Sequence, residues 1–237
     1  MKLLLTRPLD DSQRLETKLK DFNFSTYLAP LIEIKFLEIK RKYYLTHYDL
    51  VIFTSKNSLK SINPKIISYK DVITIGPGTY EKSIKLGYKN VIRSNGGSLD
   101  LIRSLSKKFK NKKLKVLHPT SNFANNVLEN FFKEQGSNYK KIISYKVEKK
   151  NVDPKKFNEF IKQESGIVTI FSSKTAESFF ELIQRENYIE DCKNKNLILL
   201  SDSIRKYLGD LIFKKIIIAE QPNELCFIKE LSNFKKE

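Results

Sequence analysis

Apolar runs of strand length alternate with stretches of helical period along the whole chain, and this narrows the fold before any motif is considered. The strand candidates are KLLLT at 2–6, DLVIFTS at 49–55, DVITIG at 71–76, KNVIRS at 89–94, KVLHPT at 115–120, GIVTIFSS at 166–173, NLILLS at 196–201 and KKIIIAE at 214–220. Each is followed by a helix-like stretch. After the first, Ser12 is in a capping position, and Leu15, Leu19 and Phe22 share one face. Later helices are expected from Asn57, Thr79, Ser98, Asn122, Ser203 and Asn223. Val127, Leu128, Phe131 and Phe132 form an apolar stripe that stops at Gly136; Asp153 and Pro154 open another helix, with Phe157, Phe160 and Ile161 turned inward. This succession predicts parallel sheets covered on both faces. The strands are too many for one compact sheet in 237 residues. The expected fold class is α/β, with two similar parallel-sheet lobes of flavodoxin-like strand order.

Two segments break the alternation. STYLAPLIEIKFLEI at 25–39 and YKKIISYKVEKK at 139–150 are long and β-rich, with no helix between their strand-forming residues. Either they are edge strands of one sheet, or residues of about 30–39 and 141–149 pair as a two-stranded β bridge. The bridge makes lobe 1 discontinuous, 1–38 plus 148–237, and lobe 2 the stretch 39–147. Internal echoes favour two copies of one unit. IFTSKNS at 52–58 matches IFSSKTA at 170–176, VITIGPGTYEKSI matches LILLSDSIRKYLG, and KLLLTRP more loosely matches KVLHPT.

Charge sets the partner class. Lys and Arg number 44 against 27 Asp and Glu, a formal +17 that would draw in a polyanion. A composition rich in Lys, Asn and Ile and lacking Trp is also what drifting codon usage leaves on a solvated surface. Basic residues are spread evenly, with no Arg-rich segment or aromatic RNA-binding signature, so nucleic acid is not the expected partner. MKLLLTRPLDD is too short for the apolar region of a signal peptide, and no run reaches the eighteen or so apolar residues of a membrane helix. A cytoplasmic protein with no membrane partner is expected. Cys192 and Cys226 lack CxxC spacing, and His47 and His118 are far from both in sequence, so neither a metal site nor a disulfide is expected. GPGT is neither a phosphate loop nor a dinucleotide fingerprint, and no Gly-x-Ser-x-Gly elbow is present.

In open parallel sheets, ligands bind beyond the carboxyl ends of the strands. Here those ends read Thr6-Arg7-Pro8, Thr54-Ser55-Lys56-Asn57, Gly76-Pro77-Gly78-Thr79, Pro119-Thr120-Ser121, Ser172-Ser173-Lys174-Thr175 and Ser201-Asp202-Ser203. Free amides and hydroxyls at such turns accept anions, each helix end contributing about 0.3–1 kcal/mol. The same residue types are also good helix caps. With so few histidines, Tyr145 is the candidate proton donor, its alternative being a packing role on a strand.

LLLTRP, LVIFTSKNSL, TIGPGTYEKSIKLG, KVLHPTSNFANNVLENFFKEQG, IISYKV and VTIFSSKTAESF, in this order over nearly the whole chain, resemble the uroporphyrinogen-III synthase family. The resemblance implies two α/β lobes joined by a two-stranded ladder and a lyase of tetrapyrrole (haem) synthesis. Such an enzyme uses no cofactor or metal. It cyclises hydroxymethylbilane to uroporphyrinogen III, losing water and inverting the last pyrrole ring. A monomer is the simplest assembly.

By the same resemblance, Ser55 and Ser173 match the serines after the paired strands, Thr79 the threonine of the glycine turn, and Tyr145 a tyrosine suspected of assisting loss of the hydroxyl. The substrate-binding candidates are Thr6, Arg7, Ser55, Lys56, Asn57, Gly76, Pro77, Gly78, Thr79, Pro119, Thr120, Ser172, Ser173, Lys174, Thr175 and Ser203, with Tyr145 catalytic. The sequence departs from the family at LSDSI, where Ser201 replaces a turn glycine and Asp202 brings a negative charge toward a polyanion.

The implied chemistry suits the rims. A substrate with eight carboxylates is held by amides and cations, and an electron-rich pyrrole expels its own hydroxyl with modest help. The main task is orientation, which can contribute several kcal/mol. A phenol keeps its proton at neutral pH and can give it to a departing oxygen. A non-catalytic two-lobed binder of a small polyanion would need the same rims.

Overall fold

The computed structural model describes residues 1–94, 98–109 and 112–234. In chain order the elements are β1 (Lys2–Leu5), α1 (Leu9–Leu19), β2 (Ser25–Leu28), β3 (Ile32–Phe36), α2 (Arg41–Tyr44), β4 (His47–Phe53), α3 (Lys56–Lys60), β5 (Ser68–Ile75), α4 (Pro77–Lys85), β6 (Val91–Ser94) and α5 (Ser98–Lys108). There follow β7 (Lys115–Ser121), α6 (Val127–Glu134), β8 (Asn138–Lys149), α7 (Pro154–Ile161), β9 (Gly166–Ile170), α8 (Ser173–Arg185), α9 (Ile189–Cys192), β10 (Lys195–Leu199), β11 (Lys215–Ile218) and α10 (Glu224–Phe234). The chain divides into two compact units, Met1–Glu33 with Glu148–Glu237 (unit 1) and Ile34–Val147 (unit 2).

Unit 1 holds the sheet β11-β10-β9-β1-β2, parallel throughout. Its strands are apolar on both sides because both faces are covered. Leu4, Val168, Ile170 and Leu197 meet Phe157, Phe160 and Phe179 from α7 and α8. Leu3, Leu5, Ile167 and Ile198 meet Leu15 and Leu19 of α1 and Phe227 and Leu231 of α10.

Unit 2 lays out β8-β7-β4-β5-β6 in parallel, with β3 added beside β8. Numbered in its own chain order, unit 1 has the flavodoxin succession 2-1-3-4-5. Unit 2, numbered the same way without β3, reads 3-2-1-4-5. The spatial layout is nonetheless the same, because β4, β5, β6, β7 and β8 occupy the places of β9, β10, β11, β1 and β2. The chain is threaded through a common design in permuted order.

This overlay corrects the echo between IFTSKNS and IFSSKTA. Leu50 pairs with Val116 as Ile167 pairs with Leu3, and Phe53 pairs with Thr74 as Ile170 pairs with Leu199. Phe53 therefore corresponds to Ile170, not to Phe171. Burial agrees. Phe53 packs with Val51, Val72 and Leu117 on the face of α3, whereas Phe171 packs against the opposite-face cluster around Phe227. A slip of one residue on a strand reverses every side chain. The counterpart of Ser55 is thus Ser172 rather than Ser173, and that of Gly76 is Ser201.

Other expectations shift for local reasons. The segment 25–39 is two strands in different sheets; Pro30 between them has no N–H to give a ladder. Ser12 is not a cap but lies inside α1, its hydroxyl donating to the Arg7 carbonyl at 3.0 Å. α4 opens at Pro77, before Thr79. The helix expected from Asn122 begins only at Val127, because β7 runs through Ser121 and the Asn122 side chain accepts the Val147 N–H at 3.0 Å. The stretch at Ser203 is a 3-10 helix, Asp202–Leu208. Among the described residues, no helix is long and apolar enough to cross a membrane.

Candidate active site

In unit 2 the chain leaves β4 and turns into α3 at Ser55, whose backbone is extended and whose Oγ accepts the Ser58 N–H at 3.2 Å. The Ser58 hydroxyl and the Ser55 N–H complete a capping box. Tyr145 arrives from β8. Thr120 pairs with Ile143 but Ser121 pairs with Tyr145, so Ser144 is the extra residue of a β-bulge. The bulge re-aims the strand. Ser144 turns inward toward the Thr120 carbonyl, 3.4 Å away, while the Tyr145 hydroxyl lies 2.8 Å from Ser55 Oγ. Tyr145 is 6% exposed, and the ring of Phe36, itself 48% exposed, sits 6.5 Å away.

The next turn is Gly76-Pro77-Gly78-Thr79. Gly76 has φ 75° and ψ 159°, a conformation reserved for glycine, and Pro77 starts α4. A Cβ on Gly78 would stand 2.8 Å from Lys56 Cε and 2.9 Å from its Nζ. The bare glycine therefore lets the Lys56 ammonium lie against the first turn of α4, beside the Gly78 and Thr79 amides. Asn57 is half-buried in α3 and Thr79 is buried. Pro119 and Thr120 are interior residues of β7 and buried, so they do not line this open end.

Behind the rim is a buried group of polar side chains that the sequence pattern does not reveal. His118 Nε2 is 3.4 Å from Thr54 Oγ1, and its Nδ1 meets the Tyr139 hydroxyl at 2.5 Å. Burial first, and then the charge of Lys141, lower the His118 pKa to about 4. The imidazole is neutral at physiological pH. Burial likewise pushes the Tyr139 phenol upward.

Unit 1 presents the corresponding end differently. Thr6 is fully buried, its hydroxyl donating to the Thr169 carbonyl. The Arg7 guanidinium lies 4.4 Å from the Phe171 ring centre, pairs with Glu224 at 2.5 Å and reaches Asp11 at 3.4 Å. Burial alone would raise the Glu224 carboxyl. Hydrogen bonds from Lys18 and Arg7 outweigh that and hold it at about 2. Ser172 caps α8, accepting the Thr175 N–H at 3.2 Å; Ser173 is the first helical residue, and Lys174 pairs with Glu177 at 2.7 Å. Ser201 is extended, with φ −157° where Gly76 has a positive value, and the exposed Ser203 hydroxyl lies 2.9 Å from its own.

One cluster in unit 2 thus joins Tyr145, Ser55, Lys56 and the Gly76–Thr79 turn, while Ser172, Ser173, Thr175, Ser201 and Ser203 lie at the equivalent strand ends of unit 1. Phe36 was not anticipated as Tyr145's neighbour, nor Glu224 as Arg7's partner, because neither pairing leaves a periodic trace in the sequence.

Two doubly wound α/β units with hydroxyl-rich strand ends define a two-unit open-sheet α/β class, in which ligands bind beyond the carboxyl ends of the strands. The family model of uroporphyrinogen-III synthase HemD matches residues 13–225, and the chain belongs to that family. A Methanocaldococcus jannaschii protein named "Putative uroporphyrinogen-III synthase" is 27% identical over 231 residues, spanning 92% of each chain. Among solved structures, the uroporphyrinogen-III synthetase of Helicobacter pylori 26695 is similar with a TM-score of 0.61 at 16% identity, covering 90% of this chain and 93% of that one. A mutant uroporphyrinogen III synthase of Thermus thermophilus gives 0.60 at 11% identity over 100% of both chains. At such identities the structural likeness is one of fold. Family membership makes the chain a lyase of tetrapyrrole biosynthesis.

Proposed function

We propose that the chain cyclises hydroxymethylbilane to uroporphyrinogen III and that Tyr145 assists departure of the substrate's hydroxyl. The observation that supports this role is the 2.8 Å contact between the Tyr145 hydroxyl and Ser55 Oγ at the carboxyl end of the unit 2 sheet. The pyrrole nitrogen's electron pair expels the hydroxyl, which takes the phenol proton and leaves as water. Ser55 then donates to the phenolate oxygen. The substituted α-carbon of the last ring attacks the cationic centre, and its older bond to the neighbouring methylene then breaks. The ring's free α-carbon closes on that methylene and loses the proton that restores the phenol. The α3 and α4 ends, with Lys56, hold substrate carboxylates. In this reading the paired segments near β3 and β8 form the bridge, and one chain suffices, working in the cytoplasm.

The test supplies freshly made hydroxymethylbilane and separates the isomers. Type III is expected; type I alone, the uncatalysed product, refutes the reading. Tyr145→Phe should slow turnover by about 100-fold or more while preserving the isomer ratio of the enzymic product. An unchanged rate removes Tyr145 from the mechanism.

A further inference from the structure

Thr54 stands between the end of β4 and the Ser55 cap of α3, half-buried at the carboxyl end of the unit 2 sheet. Among the described residues, the sole hydrogen-bond partner of its hydroxyl is His118 Nε2, at 3.4 Å. The imidazole is 3% exposed, and its Nδ1 lies 2.5 Å from the Tyr139 hydroxyl. That phenol likewise has no second hydrogen-bond partner among the described residues, and its ring is held in a stack on Phe132, with centroids 5.3 Å apart and planes inclined by 14°. One ring therefore sits between two hydroxyls.

The direction of these bonds follows from the chemistry of the three groups. A neutral imidazole carries one donor and one acceptor nitrogen, so the two hydroxyls cannot both donate to it. The His118 pKa of about 4 keeps the ring neutral at physiological pH, and burial keeps the Tyr139 phenol protonated. A phenol is the more acidic of the two hydroxyls, hence the better donor, and the shorter contact is its own. Tyr139 therefore donates to Nδ1, and the ring proton is on Nε2. It points at Thr54 Oγ1, which accepts. The Thr54 hydrogen has no acceptor in the ring and is left for one beyond the strand end.

We propose that Thr54 is a further substrate-binding residue whose hydroxyl donates to a substrate carboxylate, with His118 and Tyr139 as positioning residues that fix the direction of that donation. The inference rests on the reaction proposed above. A donor oriented in advance needs no reorganisation when the anion arrives, which is what the buried ring and phenol supply.

The test joins isotope-edited nitrogen NMR of the histidine-labelled full chain, at neutral pH without substrate, to steady-state kinetics with hydroxymethylbilane. His47→Gln assigns the two histidines. His118 should carry its proton on Nε2, and Tyr139→Phe, which keeps the ring stack, should shift the population toward the Nδ1–H form. Thr54→Val should raise KM about tenfold with kcat nearly unchanged, and Thr54→Ser should restore the wild-type value. Tyr139→Phe should raise KM by a smaller factor. An Nδ1–H tautomer in the wild type overturns the proposal whatever the chain catalyses. So does an unchanged KM in Thr54→Val of an enzyme that makes the type III isomer. Type I product alone from the wild type would instead refute the reaction, and the substrate half of the proposal with it.

Discussion

The two glycines that bracket α4 allow the anion-binding role of that helix to be separated from its folding. Gly76 precedes the helix with φ 75° and Gly87 follows it with φ 86°, and a Cβ added at either meets nothing within 4 Å. Alanine at either position therefore causes no clash, and its cost is the backbone conformation alone. For a non-glycine residue in the region Gly76 occupies, that cost is about 1–3 kcal/mol. Stiffening the unfolded chain returns about 0.4–1 kcal/mol, leaving a net loss of up to about 2.6 kcal/mol. In a chain of this length each kcal/mol lowers the melting temperature by about 2–4 °C.

Gly76→Ala and Gly87→Ala should be destabilised comparably in chemical denaturation. Their activities should part. Strain at Gly76 is relieved by rotating the peptides that open α4, which displaces its free amides and should lower kcat/KM by about tenfold to a hundredfold. Gly87→Ala should keep its activity per folded molecule. If neither variant loses stability, the argument from φ is wrong. If both keep full activity, the start of α4 does not hold the substrate.

Thr6→Val should cost about 1–2 kcal/mol in denaturant titration, because the Thr169 carbonyl loses a buried donor; an unchanged midpoint would show that the bond contributes nothing. Glu224 has a folded pKa of about 2 against an ordinary 4.5, so its contribution to stability is present above about 4.5 and is lost as pH falls toward 2. Glu224→Gln should flatten the stability curve in that window, and an unaltered slope would refute the Arg7–Lys18 clamp. His118 titrates at about 4 when folded against 6.5 when free, so the unfolded chain takes the proton first and stability falls as pH drops from 6.5 to 4. Its ring resonances should titrate near the lower value, and a midpoint near 6.5 would contradict its burial.

The layered α/β design was legible because LVIF in β4 and LLL in β1 are buried on both faces, which leaves continuous apolar runs in the sequence. Strand-end chemistry was legible for the same local reason, since Ser55 and Ser172 act as caps. What escaped depends on distant partners. The letters of the repeat place Phe171 opposite Phe53, but only ladder register reveals that the two face opposite ways. Asn122 resembles a helix start until the Val147 amide claims its side chain. Arg7 reads as a free cation in TRP, yet its carboxylate partner lies 217 residues away. Tyr145 meets Ser55 because one residue is skipped beside Ser121, and nothing in the periodicity of β8 marks that skip.

The permuted threading also settles how the repeat is shared out. Leaving β3 aside, β1-β2-β4-β5-β6 and β7-β8-β9-β10-β11 are successive tandem halves of one strand plan. Neither half packs by itself: each sheet takes two strands from one half and three from the other, joined by seams such as Leu3 to Ile167 and Leu50 to Val116. The arrangement is that of an arm-exchanged dimer fused into a single polypeptide. Severing the chain between α5 and β7 would part the duplicated copies cleanly and leave both sheets unfinished.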